Sequence, residues 1–409
     1  MQSYVKRKNY IDKLLKWKDT QLIKVITGVR RSGKSVLLQQ YIEELLKQGI
    51  SREQIVFVNL ESLDYIEIQD YMALYEYLKL KLVTDKMTYF FLDEVQNIPD
   101  FQKAVDSLYM LPNTDIYITG SNAYLLSGEL ATLLSGRYIE LNILPFSMQE
   151  LSELYTYSPE QLFQQYLLYG GFPYLTGLPN LEARAYEYFD GIYNTIIIKD
   201  IEERSKRREA DSNKRKITDI SLLRNIARFL ADSIGNPIST KRIADYITSS
   251  GRKISQNTVG DYVSALVEPF VFYPVERYDI TGKQLLKTQP KYYIVDLGLA
   301  RHLVKRSRYD LGFNLENIIY LELLRRDYKV YVGKVQDKEI DFLAEKGQER
   351  IYIQVCASMM EESTFNREMA PLKLVKDNYP KYIMTLDRFV LGNYEGINVI
   401  NAIDWLLEN

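Results

Sequence analysis

Gly28-Val29-Arg30-Arg31-Ser32-Gly33-Lys34-Ser35 carries the spacing G-x-x-x-x-G-K-[ST] residue for residue. Residue types in that order suit a loop that cradles phosphate. Backbone N–H groups line a tight turn, a lysine reaches the outer phosphate oxygens, and a hydroxyl stands ready to ligate Mg²⁺. Gly28 through Val36 is the expected nucleotide-contacting stretch, with Lys34 as its cation and Ser35 as its metal-ligating hydroxyl. A pair of carboxylates, Asp93 and Glu94, closes the apolar run Met87-Thr88-Tyr89-Phe90-Phe91-Leu92. Asp93 is expected to hold Mg²⁺ through its hydration shell, and Glu94 to orient and deprotonate an attacking water. Thr119-Gly120-Ser121-Asn122 ends another apolar run. Ser121 or Asn122 is therefore a candidate to sense a γ-phosphate or to position the water, although a plain turn and helix cap suits the same residues.

Such residues work only if strand ends bring them together. Leu22–Thr27 reads as a short buried strand before the loop, and Val36-Leu37-Leu38-Gln39-Gln40-Tyr41-Ile42 opens a helix with an apolar stripe. Further strands are predicted at Ile55–Asn59, Tyr89–Asp93, Asp115–Thr119 and Tyr138–Leu141. Strands alternating with helices to about Leu144 predict an α/β fold, a parallel sheet covered on both faces with its ligand at the carboxyl ends.

Composition narrows the chemistry. At 409 residues the chain exceeds what one core usually supports, so roughly two to four domains are expected. The formal net charge is −2, so any nucleic-acid binding has to come from a local patch. Cys356 and His302 are the only residues of their types, which excludes zinc fingers, intramolecular disulfides and multi-histidine metal centres. Carboxylates, Lys, Arg, hydroxyls and Mg²⁺ are what remain. His302 falls in a predicted helix, Leu299–Leu303, and is expected to be structural. Met1–Lys8 has no leader-like apolar stretch and no apolar run approaches membrane-spanning length. A cytoplasmic protein without a membrane partner is the expectation.

After Pro145-Phe146 the texture turns helical, broken at Tyr169-Gly170-Gly171-Phe172-Pro173. Arg204-Ser205-Lys206-Arg207-Arg208 and Lys214-Arg215-Lys216 form a basic stretch that reads as a linker or an exposed helix junction. Helices at Ser221–Asp232, Ser239–Thr248 and Ser255–Val267, with N-caps at Ser239 and Ser255, precede strand-like runs at 270–277 and 292–295. Three helices and a hairpin are a winged-helix order, in which Arg252, Lys253, Ser255, Gln256, Asn257 and Thr258 would open a recognition helix facing DNA; a protein contact is the alternative. The last part is again α/β: an amphipathic helix at Asn314–Leu324, then strands at Lys329–Val332, Glu339–Ala344 and Arg350–Val355. Glu316, Asp341 and Gln354 stand in an order that resembles a restriction-endonuclease-like core, where they would hold a metal, but Cys356 occupies the position of the lysine that would activate water.

Gly28–Ser35, Asp93-Glu94-Val95-Gln96, Ser135-Gly136-Arg137-Tyr138, Leu144-Pro145-Phe146-Ser147 and Gly170-Gly171-Phe172-Pro173 together resemble the prokaryotic predicted ATPases of the AAA+ superfamily of P-loop NTPases, which carry a C-terminal domain of unknown function. With the pattern of elements above, the expected division is a P-loop AAA+ ATPase core at 1–148, a helical lid or linker at 149–213, a winged-helix domain at 214–308 and a restriction-endonuclease-like α/β domain at 309–409. The resemblance implies ATP and Mg²⁺ as cofactors. It also suggests Arg137 as a trans-acting finger or an intramolecular sensor, with a surface pair to Glu140 as the plainer alternative. The function expected is an ATP-hydrolysing switch or remodeller acting on DNA or a protein partner, with self-association open. An ATP-gated nucleic-acid-processing effector and a nucleotide-gated scaffold are the alternatives.

Overall fold

The computed structural model describes residues 5–121, 134–178, 181–194, 217, 219–304 and 311–408. Asn122 and the basic segment Arg204–Lys216 lie outside the described residues. The chain divides into two compact units, Met1–Pro145 with Glu268–Phe270, and Phe146–Val267 with Val271–Asn409.

In the first unit β1 (Ile23–Thr27), β2 (Ile55–Asn59), β3 (Thr88–Asp93), β4 (Thr114–Gly120) and β5 (Tyr138–Asn142) form one sheet in the order β2-β3-β4-β1-β5. Every neighbouring pair is parallel. Side chains alternate between the faces along each strand. Ile26, Tyr89, Phe91 and Tyr117 pack with α1 (Lys8–Lys16) and α2 (Lys34–Lys47) through Tyr10, Leu14, Leu37 and Tyr41. Val25, Phe90, Leu92, Ile116 and Ile118 pack on the other side with α3 (Tyr71–Lys79) and α4 (Phe101–Tyr109) through Leu74, Leu78, Ala104 and Leu108. Burial on both faces explains why these strands read as continuous apolar runs. Lys24 is the exception: fully buried, it pairs with Asp115, whose other oxygen accepts from the Tyr117 hydroxyl at 3.0 Å.

In the second unit the described helices include α5 (Met148–Ser152), α6 (Pro159–Tyr169), α7 (Leu181–Tyr193), α8 (Ile220–Asp232), α9 (Thr240–Ser249) and α10 (Gln256–Val267). Ser239 and Ser255 cap their helices as predicted, accepting from Arg242 N and Thr258 N, each at 3.1 Å. The strands that follow, β6 (Phe272–Asp279), β7 (Gln284–Ile294), β8 (Lys329–Val335), β9 (Lys338–Lys346), β10 (Glu349–Cys356), β11 (Lys381–Thr385), β12 (Gly392–Tyr394) and β13 (Ile397–Asn401), make one eight-stranded sheet in the order β12-β13-β11-β10-β9-β8-β6-β7. This corrects the expected division at 308/309. The β6–β7 hairpin is not a free wing, because β6 pairs in parallel with β8 through Arg277–Asp279 and so extends the C-terminal sheet.

The glycine pair at 170–171 has a packing cause. Asp296, buried just before α11 (Leu297–Val304), accepts Gly171 N at 2.7 Å and Leu299 N at 3.0 Å. A Cβ on Gly170, which has φ +67°, would lie 2.1 Å from both Asp296 oxygens, and one on Gly171 would lie 2.2 Å from the Phe146 carbonyl oxygen. Burial pushes the Asp296 carboxyl up to about 6.

Candidate active site

β1 hands the chain to the glycine loop at Thr27, and α2 takes it up again at Lys34. Gly28 passes so close to the end of β5 that a Cβ would meet the Ile143 carbonyl oxygen at 2.2 Å. Arg31 (φ 64°) and Gly33 (φ 96°) are left-handed, and residues of that hand inside a turn gather successive N–H groups into an anion-binding nest. Lys34, only 4% exposed, folds back over this loop. Its Nζ donates to the carbonyls of Gly28 at 3.0 Å and Val29 at 3.3 Å and to Ser121 Oγ at 3.4 Å, and stands 3.9 Å from the Glu94 carboxylate.

β4 lies between β1 and β3, so its carboxyl end separates the loop from the acidic pair. The side chains there join the two. Thr119 Oγ1 donates to Asp93 Oδ1 and accepts from Glu94 N at 3.0 Å. Ser121 Oγ stands 3.0 and 2.9 Å from the two Glu94 carboxylate oxygens, and the Gln96 amide donates to Glu94 Oε2. Burial raises the Asp93 carboxyl above its ordinary range, against hydrogen bonds from Thr119 and Ser35 that favour the charged form.

The donor set fits a nucleotide with Mg²⁺. The Ser35 hydroxyl and the Asp93 carboxylate are adjacent hard oxygen donors, the kind Mg²⁺ takes. Ser32 Oγ, fully buried within the loop, has no hydrogen-bond partner among the described residues, and a buried hydroxyl of this kind calls for a ligand.

Of the remaining predicted residues, Val29 is buried, Arg31 is exposed, and Arg30 stands 3.6 Å from Glu61. Val36 is half-buried in the first turn of α2. Arg137 is not brought to the site of its own chain. Its backbone oxygen accepts Ile23 N at the entry of β1, whereas the loop follows the exit of that strand, about 16 Å away at ~3.3 Å per residue. Its guanidinium pairs with Asp106 and lies 5.4 Å over the Tyr109 ring, and Glu140 accepts instead from Thr27 Oγ1 at 2.7 Å. Sequence reasoning missed Thr119 and Gln96, both readable in hindsight as polar residues at or just beyond a strand end facing the loop. It also missed Arg7, for which no motif gives a signal.

In the second unit Glu316 on α12 (Leu311–Arg325), Asp341 on β9 and Gln354 on β10 do come together. The cation that Cys356 could not supply arrives from β7. Lys291 Nζ lies 2.9 Å from Glu316, 2.8 Å from Glu339 and 3.6 Å from Asp341. Burial alone would lower the Lys291 pKa, but those three carboxylates outweigh it and hold the ammonium above its ordinary value. Burial and the neighbouring Glu316 push Asp341 up to about 8. Gln354 Oε1 accepts from Asp341 N at 3.3 Å, and its amide donates to Glu368 at 2.9 Å. Cys356 donates to the Ser358 carbonyl, and burial pushes its thiol up to about 11, so it is no thiolate nucleophile at neutral pH. Among the described residues no group of three or more His, Cys, Asp or Glu side chains is arranged to hold a metal ion. Nor is any described helix long and apolar enough to cross a membrane.

Residues 20–152 match the AAA domain family, and residues 160–310 match a domain of unknown function (DUF8612). An uncharacterized protein of Haemophilus influenzae is 40% identical over 410 residues, covering 99% of this chain and 99% of its own length. An uncharacterized protein of Methanocaldococcus jannaschii is 29% identical over 405 residues, covering 93% of this chain and 85% of that protein. The Walker-type ATPase of Pyrococcus abyssi aligns with a TM-score of 0.49 at 17% identity, over 74% of this chain and 98% of that one. This chain shares a family with the Haemophilus protein along its length, and through its AAA domain it belongs to the prokaryotic P-loop ATPases of the AAA+ superfamily.

Proposed function

We propose that the chain is an Mg²⁺-dependent ATP hydrolase that works as a molecular switch, passing its nucleotide state to a DNA or protein partner. The observation that carries the reading is the convergence of Lys34, Ser35, Asp93, Glu94 and Ser121 at one edge of the parallel sheet. Ser35 and Asp93 are the residues that would hold Mg²⁺, which when bound supplies charge neutralisation on the phosphate oxygens. Lys34 gives up the Gly28 and Val29 carbonyls and turns its ammonium to the phosphates. Glu94 exchanges a hydroxyl or amide partner for water, accepts its proton and so makes the nucleophile, a step for which a placed base typically contributes about 10²–10⁴-fold. Ser121, in reach of both Lys34 and Glu94, is suited to register the γ-phosphate.

The partner is the open part of the reading. Lys253 just before α10 and Gln256 and Asn257 in its first turn are exposed, while Arg252 is engaged with Asp219, which favours a modest DNA or protein contact there. Phosphate release by wild type and Lys34→Ala, with and without duplex DNA at two salt concentrations, tests both halves. Turnover lost in Lys34→Ala supports the ATPase. DNA binding that weakens with salt and with Lys253→Ala supports the DNA arm, and salt-insensitive absence of binding leaves the protein arm.

A further inference from the structure

Arg7 belongs to no motif, yet its guanidinium is buried against the phosphate loop, with the residue 2% exposed. Nη1 donates to the Ser32 carbonyl at 3.1 Å and to the Leu144 carbonyl at 2.9 Å, and the guanidinium carbon stands 4.5 Å over the Tyr10 ring. The segment that presents it is itself pinned. Arg7 N donates to Gln40 Oε1 at 3.1 Å, Gln40 Nε2 donates to the Val5 carbonyl at 2.7 Å, and Leu144 N donates to the Tyr10 hydroxyl at 3.3 Å.

Burying a guanidinium is costly unless its donors are used, so a buried arginine spent on backbone carbonyls is fixing backbone geometry. In a planar trans peptide the C=O and the following N–H point in opposite directions. Holding the Ser32 carbonyl toward Arg7 therefore turns the Gly33 N–H away from it. Resting on the ATPase reading above, we propose that Arg7 is a positioning residue for nucleotide binding, presetting the Ser32–Gly33 peptide so that its N–H faces the phosphates before they arrive. The same nitrogen ties the loop to the Leu144 carbonyl, so the Ser32 carbonyl is held against the segment that follows β5. Preorganisation of this kind acts on affinity, because the loop no longer has to be ordered on binding.

Full-length Arg7→Ala, Arg7→Lys and Gln40→Leu, beside wild type and Lys34→Ala, are titrated with the fluorescent nucleotide mant-ATP and Mg²⁺, then assayed for phosphate release and for thermal unfolding without nucleotide. Arg7→Ala is expected to raise both Kd and KM about tenfold or more, as loss of a charge-assisted hydrogen bond does, with kcat changed less than about threefold. Arg7→Lys, a shorter point charge without the planar fork, is expected to fall between. Gln40→Leu loosens the segment while leaving the guanidinium in place, and is expected to move KM in the same direction by about threefold. General destabilisation would instead lower the melting midpoint and the active fraction, and hence kcat, at unchanged KM. If Arg7→Ala does not fold, the lysine and Gln40 variants decide. Folded variants with Kd and KM within twofold of wild type overturn the proposal while leaving the ATPase reading intact. Wild type that binds no mant-ATP removes that reading and this inference with it.

Discussion

A buried ammonium stays charged only while the carboxylates beside it do, and Lys291 has Glu316 at 2.9 Å and Glu339 at 2.8 Å. Removing one member of such a group strands charge in a dry interior, which is why broken buried pairs lose roughly 3–5 kcal/mol. Lys291→Met is expected to cost the second unit that much in urea unfolding, and Lys291→Met combined with Glu316→Gln to recover more than half of it. Asp341 adds a pH dependence of definite sign. Its folded pKa of about 8 lies above the ordinary carboxylate range near 4, so the folded state holds this proton more tightly than the unfolded one. The stability it contributes is complete below the unfolded value and is lost as pH rises through about 8. Denaturation midpoints of wild type should therefore fall between neutral and mildly alkaline pH, and Asp341→Asn should flatten that slope. None of this was legible beforehand, because Lys291 and Glu316 are neighbours only once β7 and α12 have packed. The spacing that singles out Glu316, Asp341 and Gln354 names residues that do come together and is silent about Lys291 between the two acids.

At the scale of elements, the strands of the first sheet lie within one residue of their predicted bounds; burial on both faces writes the central β1, β3 and β4 as apolar runs, while the edge strands β2 and β5 are only partly buried. Lys24 sits inside such a run without betraying its partner Asp115, 91 residues away. The hairpin β6–β7 was misread for the same reason: a wing and a sheet extension have the same local pattern, and only the pairing of Arg277–Asp279 with β8 separates them. Gly170 and Gly171 were visible as a break, but their cause, Asp296, lies 125 residues beyond Gly171. Gly170→Ala drives a methyl into that carboxylate at a left-handed φ, and is expected to destabilise the unit by roughly 2 kcal/mol or more, against a small change for the open position Gly191→Ala. Thermal or urea unfolding of the two variants side by side reads this.

For the whole molecule, what could be read early was local in sequence. Gly28–Ser35 and Asp93-Glu94 each announce themselves within a few residues, and parallel strands ending at one sheet edge do the rest. Thr119 between the acids and Gln96 on Glu94 stand inside runs the sequence already marks, without a role that those runs assign; the residue with no local signal at all is Arg7 behind the loop. Arg137 shows the converse: its motif gives no sign that the parallel register sets it at the end of the sheet opposite the loop of its own chain. The central claim is that this geometry hydrolyses ATP with Glu94 as its base, and it is tested most directly by Mg-ATP turnover in full-length wild type and Glu94→Gln, with bound nucleotide quantified in the same samples. The account predicts that Glu94→Gln keeps ATP within about threefold of wild-type affinity while phosphate release falls about a hundredfold or more. Turnover equal to wild type in Glu94→Gln would contradict it.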